Sequence, residues 1–148
     1  MTSTNSLETP VNATCAFCAY LEGLRPYTIA RRNDLIAVLV TREQRGIPHL
    51  LVLPVRHKET ILDLNDEEAA ALMVGIRQTA FAINKTYRRP GIAVWQNNGV
   101  PANQAIGHVH FHVAGTLDKG GTEWGDVEEA SLKETNLIAD RLSPYLII

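Results

Sequence analysis

The chain has 148 residues, of which 45% are hydrophobic and 20% charged, so its composition is that of one globular domain with a substantial core. The 14 basic and 16 acidic residues give a formal net charge of −2, which gives no electrostatic reason to expect a nucleic-acid partner. No apolar run reaches the length of a membrane span and the first residues lack a secretory signal, so we expect a cytoplasmic protein without a membrane partner.

The predicted elements are short strands and one long helix. The helix has clear boundary signals, because Asn65 is a capping residue, Glu68 follows three residues later, and apolar residues then recur at helical spacing. In chain order we predict a flexible tail over residues 1–13, a helical turn near 19–22, strands over 27–31, 35–40, 49–53, 92–95 and 107–115, the long helix over 66–87 and a last helix over 128–142.

This order of elements indicates the α+β class. About five short strands with one long helix between them predict a five-stranded antiparallel sheet with the helix on one face. We expect a single domain over residues 1–148, in which the tail 1–13 precedes a core over 14–115. The C-terminal extension over 116–148 then carries the last helix.

Three of the five histidines stand in one predicted strand. His108, His110 and His112 alternate with apolar residues, and alternate side chains of a strand share a face, so we expect the three imidazoles in a row about 6.6 Å apart. A neutral imidazole nitrogen can attack phosphorus and form a covalent intermediate while neighbouring imidazoles donate hydrogen bonds to phosphate oxygens. The pattern therefore favours a functional site over an ordinary half-exposed strand.

Two other groups of residues carry possible chemistry. Asn97 and Gln104 lie in the Asn- and Gly-rich loop before the histidine strand and are expected to donate further hydrogen bonds. Cys15 and Cys18 form a Cys-x-x-Cys pair, which by itself is compatible with a redox pair, a metal site or two free thiols. A thioredoxin-like role needs a βαβ setting that the predicted elements lack, and a structural zinc needs two further ligands.

Two remaining side chains are predicted to have structural roles. His49, at the start of an apolar strand, is expected to be a structural histidine rather than a ligand. Trp124 follows a Gly-Gly pair and is expected to pack on its own domain, with closure over a bound base or contact with a partner subunit as the alternatives.

Four segments together resemble the histidine triad (HIT) family. These are the His-x-His-x-His-Val-Ala run at 108–114, the Asn-rich loop at 97–104, the Pro-x-x-His strand at 49–57 and the Cys-x-x-Cys pair at 15–18. The resemblance implies a HIT-like homodimer whose sheet extends across both subunits. It also implies a nucleotide hydrolase or nucleotidyl transferase that cleaves phosphoramidates, adenylates or dinucleoside polyphosphates containing a purine nucleoside monophosphate.

The resemblance also implies roles for individual residues. His110, the middle histidine, would be the nucleophile that forms a nucleotidyl-histidine intermediate. Asn97, Gln104, His112 and Thr41 would contact the phosphate or the sugar of the substrate.

The same resemblance completes the metal site. In metal-binding members the Cys pair is joined by the histidine of the Pro-x-x-His segment and by the first triad histidine. This implies a structural zinc with four ligands. The ligands would be Cys15, Cys18, His57 and His108.

Three residues depart from the family's pattern and keep other functions open. Asn103 and Ala105 stand where many members have Gly and Ser, and Thr41 stands where many have an Asp that holds the ribose. These departures motivate the hypothesis of a nucleotide-binding module with little turnover. A third hypothesis places a catalytic metal ion on the triad histidines, and it predicts that metal binding survives Cys15→Ala.

Overall fold

The computed structural model describes residues 7–148, and residues 1–6 of the predicted tail lie outside the described part. Within the remainder of that tail, the carbonyl of Glu8 accepts a hydrogen bond from the Val100 amide at 2.7 Å. In chain order the elements are α1 (Ala16–Leu21), β1 (Thr28–Arg32), β2 (Ile36–Val40), β3 (His49–Pro54), α2 (Asp66–Thr86), β4 (Ile92–Trp95), β5 (Phe111–Gly115) and α3 (Leu132–Leu142), with 3-10 turns at Ile61–Asp63 and Val100–Ala102.

The five strands form one sheet in the order β1-β2-β3-β5-β4, and every neighbouring pair is antiparallel. The predicted α+β class and five-stranded antiparallel sheet are therefore confirmed. The sheet ends at β1 on one side and at β4 on the other.

Helix α2 covers one face of the sheet. It begins with a capping box, in which the Asn65 side chain accepts from the Glu68 amide and the Glu68 carboxylate accepts from the Asn65 amide. These two hydrogen bonds satisfy amides that would otherwise have no helical partner. Gly75 lets the helix approach β2 closely, because a methyl group at this position would overlap the end of the Ile36 side chain.

The second helix of this layer comes from the C-terminal segment. Leu142 and Leu146 are fully buried in the same cluster as the apolar face of α2. Arg31 of β1 donates from Nε to the Leu146 carbonyl at 2.9 Å. Helix α3 begins at Leu132 rather than at the predicted residue 128, because Ser131 is the residue that caps it. No helix within residues 7–148 has the length and apolarity needed to cross a membrane.

The opposite face of the sheet is covered by α1. Phe17 of this short helix is buried against alternating residues of β2 and β3. His112 pairs with Leu51, which belongs to the same cluster, so β5 presents His112 on the α1 face. This face carries the candidate site.

The histidine strand begins later than predicted. β5 starts at Phe111, so His108 and His110 precede the paired strand and the three histidines do not form one strand row. Pro54 ends β3 at this point, and it has no amide hydrogen to continue the ladder. The Val109 amide donates instead to the Lys58 carbonyl at 2.7 Å.

Candidate functional site

Four predicted metal ligands converge at one end of α1. The ligand atoms of Cys15, Cys18, His57 and His108 all lie within 4.8 Å of one another. Nδ1 of His108 lies 3.3 Å from Sγ of Cys15 and 3.6 Å from Sγ of Cys18, and Nδ1 of His57 lies 3.5 Å from Sγ of Cys18. The fold thus brings together residues that are up to 93 positions apart in the chain.

This donor set fits a zinc ion. Tetrahedral zinc with Zn–N and Zn–S bonds of about 2.0–2.3 Å places its ligand atoms about 3.3–3.8 Å apart. The three N–S distances of 3.3, 3.5 and 3.6 Å lie in this range. His108 donates from Nε2 to the Pro54 carbonyl at 2.9 Å, so its Nδ1 keeps the lone pair that a metal needs. Burial, reinforced by the neighbouring Cys15, raises the pKa of the Cys18 thiol to about 12, so a thiolate here requires a cation.

His110 lies beside this cluster and has one nitrogen free. Its Nδ1 donates to the His108 carbonyl at 2.7 Å, so Nε2 carries the lone pair of the neutral ring. Burial lowers the pKa of His110 and favours that neutral form. Phe17 packs edge-on against the ring with a centroid distance of 4.9 Å. The ring is therefore held in one orientation with a basic nitrogen available to attack an electrophile.

His112 is positioned by two aromatic neighbours. Trp95, its partner in β4, stacks on the ring at a centroid distance of 4.6 Å and an angle of 3°. Nε2 of His49 lies 3.0 Å from Nδ1 of His112. Burial lowers the pKa of His49 to about 4 and that of His112 to about 3, so both rings are neutral at pH 7.

Two backbone groups contact Nδ1 of His49. The Arg45 amide lies 3.2 Å from this nitrogen and the Glu43 carbonyl lies 3.0 Å from it. An amide can only donate and a carbonyl can only accept, so the two contacts favour opposite tautomers of the ring. In the tautomer that accepts from the Arg45 amide, His49 carries its proton on Nε2 and donates to Nδ1 of His112, which then carries its own proton on Nε2 and is a hydrogen-bond donor there.

A cavity of about 490 Å³ adjoins these histidines. His49, His110 and His112 line it together with Thr41, so the structure brings this predicted substrate residue to the same cavity. The other lining residues include three aromatic side chains and three arginines, namely Phe17, Tyr20, Tyr27, Arg25, Arg42 and Arg45.

Asn97 and Gln104 lie in the loop before β5, and within residues 7–148 neither is among the residues that line this cavity. Gln104 is buried and its amide bonds three backbone groups, accepting from Gly99 and donating to Glu59 and Ile106. Asn97 donates to the Ala102 carbonyl at 2.7 Å. These bonds fix the shape of the loop, and substrate contact by either side chain stays a prediction.

Two departures from the family's pattern have local explanations. Asn103 has φ 68°, a left-handed conformation that Asn tolerates better than most residues where Gly is absent. Ala105 lines the cavity with a methyl group, so it offers no hydroxyl to a bound ligand.

His49 and Trp95 are contacts of the triad that the sequence did not indicate. His49 pairs with Ala114 and Leu51 pairs with His112, so His49 and His112 are diagonal neighbours on one face of the sheet. Only the register of β3 against β5 reveals this. Trp124 is exposed, and its ring centroid lies 6.5 Å from that of Trp95.

Known proteins are similar to this chain in sequence and in fold. The HIT domain family model matches residues 25–119. Adenosine 5'-monophosphoramidase hnt1 of Schizosaccharomyces pombe is 30% identical over 112 residues, which cover 75% of this chain and 78% of that protein. The Hit-like protein of Bartonella henselae has a TM-score of 0.84 at 19% identity, covering 94% of this chain and 100% of that chain. A zinc-bound histidine triad family protein of Mycobacterium smegmatis has a TM-score of 0.75 at 22% identity, covering 90% and 93%.

Proposed function

Because this chain belongs to the HIT domain family, we propose that it cleaves a nucleoside 5'-phosphoryl bond through a nucleotidyl intermediate on His110. The observation that carries this proposal is the hydrogen bond from Nδ1 of His110 to the His108 carbonyl, which leaves the Nε2 lone pair free. The name of the Schizosaccharomyces pombe relative supports a phosphoramidate as one substrate class.

The proposed reaction has two steps. Nε2 of His110 attacks the α-phosphorus, an N–P bond forms, and the bond from phosphorus to the leaving group breaks. Nε2–H of His112 donates a hydrogen bond to the leaving group, which takes its proton from water. During the first step Nδ1 of His110 keeps its proton and its bond to the His108 carbonyl, which stabilises the positive charge that develops on the ring.

In the second step a water molecule attacks phosphorus, the N–P bond breaks and the nucleoside monophosphate is released. The electron pair of that bond returns to Nε2 of His110 and the proton of the attacking water passes to bulk water, which restores the starting state of both histidines. Transfer to another acceptor replaces water with a second nucleophile and gives the transferase reaction. The low pKa of His112 keeps this ring neutral, so it acts on the leaving group as a hydrogen-bond donor.

The cavity supports a purine nucleoside monophosphate as the group that is bound. Phe17 and Tyr20 provide apolar ring surface beside His110, and Tyr27 stacks on Tyr20 at a centroid distance of 4.0 Å. Thr41 lies in the wall and its hydroxyl is the group we propose for a sugar contact. Asn97 and Gln104 act on phosphate or sugar in this proposal only if the loop rearranges on binding.

We further propose that a structural zinc is held by the two cysteines, His57 and His108. The metal would link α1 to the segment before β5 and would take no part in the reaction steps. Cys15 and Cys18 also belong to the turn that positions Phe17 against His110.

A homodimer is proposed because one edge of the sheet is open. Strand β4 is the last strand of the sheet and Val94 within it is 49% exposed. Exposed strand edges pair readily with a second copy. Met73 and Phe81 of α2 are also exposed and add apolar surface to the protein. Sedimentation of Val94→Lys, which charges this edge, would show a monomer if β4 forms the interface.

Intact-protein mass spectrometry tests the proposed reaction. The full chain is mixed with nucleoside phosphoramidates, adenylates and dinucleoside polyphosphates, and His110→Ala is run in parallel. We expect a transient nucleotidyl adduct on the wild type alone, with free nucleoside monophosphate accumulating. Unchanged zinc content and circular dichroism of His110→Ala would show that the variant is folded.

The second candidate function is a nucleotide-binding module with little turnover. The methyl group of Ala105 in the cavity wall favours it, because the leaving group meets one hydrogen-bond donor fewer. Tight nucleotide binding by the wild type without adduct or product would support this function and contradict the hydrolase.

A further inference from the structure

A C-terminal strap, residues 123–130, lies beyond the residues that match the HIT domain and runs beside the loop between β2 and β3. Two arginines of that loop hold the strap with both backbone and side chain. The Glu123 amide donates to the Arg45 carbonyl at 2.7 Å, and the Arg45 guanidinium donates back to the carbonyls of Glu123 and Gly125. At the other end, Arg42 exchanges hydrogen bonds of 2.7 and 2.8 Å with the backbone of Ala130.

The two arginines differ in what their backbone amides contact. The Arg42 amide donates to the Tyr27 hydroxyl at 3.3 Å, whereas the Arg45 amide donates to Nδ1 of His49 at 3.2 Å. The Arg45 side chain also lies 3.5 Å from the Glu43 carboxylate, and the Glu43 carbonyl is the other backbone group beside Nδ1 of His49. The turn over residues 43–45 therefore presents one donor and one acceptor to the same nitrogen.

We propose that Arg45 is a positioning residue. Its side-chain hydrogen bonds to the strap fix the turn, and the fixed turn keeps the Arg45 amide bonded to Nδ1 of His49, so that the His49 proton stays on Nε2. The role assigned to Arg45 rests on the proposed function of His112. It extends that function to a part of the chain outside the matched domain.

The consequence for His112 follows from the geometry of hydrogen bonds. A small shift of the turn would weaken the Arg45 amide bond, since such bonds weaken steeply with distance and angle. The Glu43 carbonyl, which lies 3.0 Å from Nδ1, would then be the one remaining partner, and the His49 proton would move to Nδ1. His49 would accept from Nδ1 of His112, and Nε2 of His112 would become an acceptor that cannot donate a hydrogen bond to a leaving group.

Imidazole ¹⁵N NMR of the zinc-loaded full chain, without substrate, tests this inference. The variants are Arg45→Met, Arg45→Lys and the matched control Arg42→Met, which loosens the other end of the strap. We expect the wild type and Arg42→Met to show His49 protonated on Nε2. Arg45→Met is expected to move a substantial share of that proton to Nδ1, and Arg45→Lys, which lacks the planar fork, to move it partly.

Steady-state kinetics on a nucleoside phosphoramidate provide the second readout. We expect Arg45→Met to lower kcat about 10-fold, a share of what one hydrogen-bond donor at the reacting centre contributes, with a much smaller change in KM. Unchanged histidine tautomers in Arg45→Met, or an equal change in Arg42→Met, would overturn the inference. If Arg45→Met does not fold, the same comparison is decided by Arg45→Lys.

The two readouts separate this inference from the proposed function. A tautomer shift in Arg45→Met together with a wild type that turns over no nucleotide would contradict the hydrolase and leave the positioning role intact. Turnover by the wild type with no tautomer shift in either Arg45 variant would contradict only the positioning role.

Discussion

Burial of His49 predicts a specific loss of stability in mild acid. The ring is 2% exposed, and burial, with a smaller contribution from the Arg45 charge, lowers its pKa to about 4. In the unfolded chain a histidine has a pKa of about 6.5. Between about pH 4 and pH 6.5 the unfolded chain therefore binds a proton at His49 that the folded protein does not bind. Stability is therefore fully present above about pH 6.5 and falls as the pH is lowered.

The size of the effect follows from the two pKa values. One histidine contributes a slope of up to about 1.4 kcal/mol per pH unit, which amounts to about 2 kcal/mol between pH 7 and pH 5. Urea unfolding at pH 7, 6 and 5 measures this for the wild type and for His49→Gln. We expect the wild type to lose about 2 kcal/mol more than His49→Gln over this range.

Acid-sensitive groups that do not contact His49, the predicted metal ligands among them, are common to the proteins being compared and cancel in the difference. Thr79→Val is a matched control, because it alters a fully buried hydroxyl of α2 that donates to the Gly75 carbonyl and carries no charge. We expect this variant to lose stability equally at every pH. A pH slope of His49→Gln equal to that of the wild type would refute the reasoning.

Three further predictions concern the metal, the leaving group and the stacked tryptophan. Cys18→Ser should reduce zinc from one ion per chain to none by elemental mass spectrometry, whereas retained zinc would point to the triad histidines. Ala105→Ser should raise kcat on phosphoramidates, since it adds a donor to the cavity wall, and an unchanged kcat would argue that the methyl group does not limit turnover. Trp95→Leu should raise the pKa of His112 in an NMR titration because the ring loses a covering surface; a constant pKa would show that Trp95 does not shield it.

The fold was predictable where local chemistry decides the structure. Asn65 and Glu68 mark the start of α2 by a capping box, and the observed helix begins at Asp66 as predicted. The start of α3 was placed at residue 128, although Ser131 and Glu134 form the same kind of capping box. The residues before it form neither helix nor strand, and the backbone of Ala130 is hydrogen-bonded to Arg42 instead. That contact is between distant parts of the chain and has no local sequence pattern.

The site was less predictable because its members meet through the sheet register. Spacing alone left the Cys-x-x-Cys pair ambiguous, and only the family resemblance named His57 and His108 as its companions. His49 was expected to be a structural histidine, yet its ring lies in hydrogen-bond contact with His112. A strand of apolar residues with one histidine at its start has the same sequence pattern whether that histidine is structural or contacts the triad. The pairing of β3 with β5 decides between them.

The late start of β5 explains how three alternating histidines come to lie in three different surroundings. In a continuous strand the imidazoles would share one face and similar surroundings. Here His108 directs Nδ1 toward the cysteines, His110 donates Nδ1–H to the His108 carbonyl, and His112 faces His49. His108 thus belongs to the Cys/His cluster through its ring and orients His110 through its backbone. Whatever moves the His108 ring also moves the carbonyl that accepts from Nδ1 of His110, so a change at the cluster reaches His110 without touching its ring.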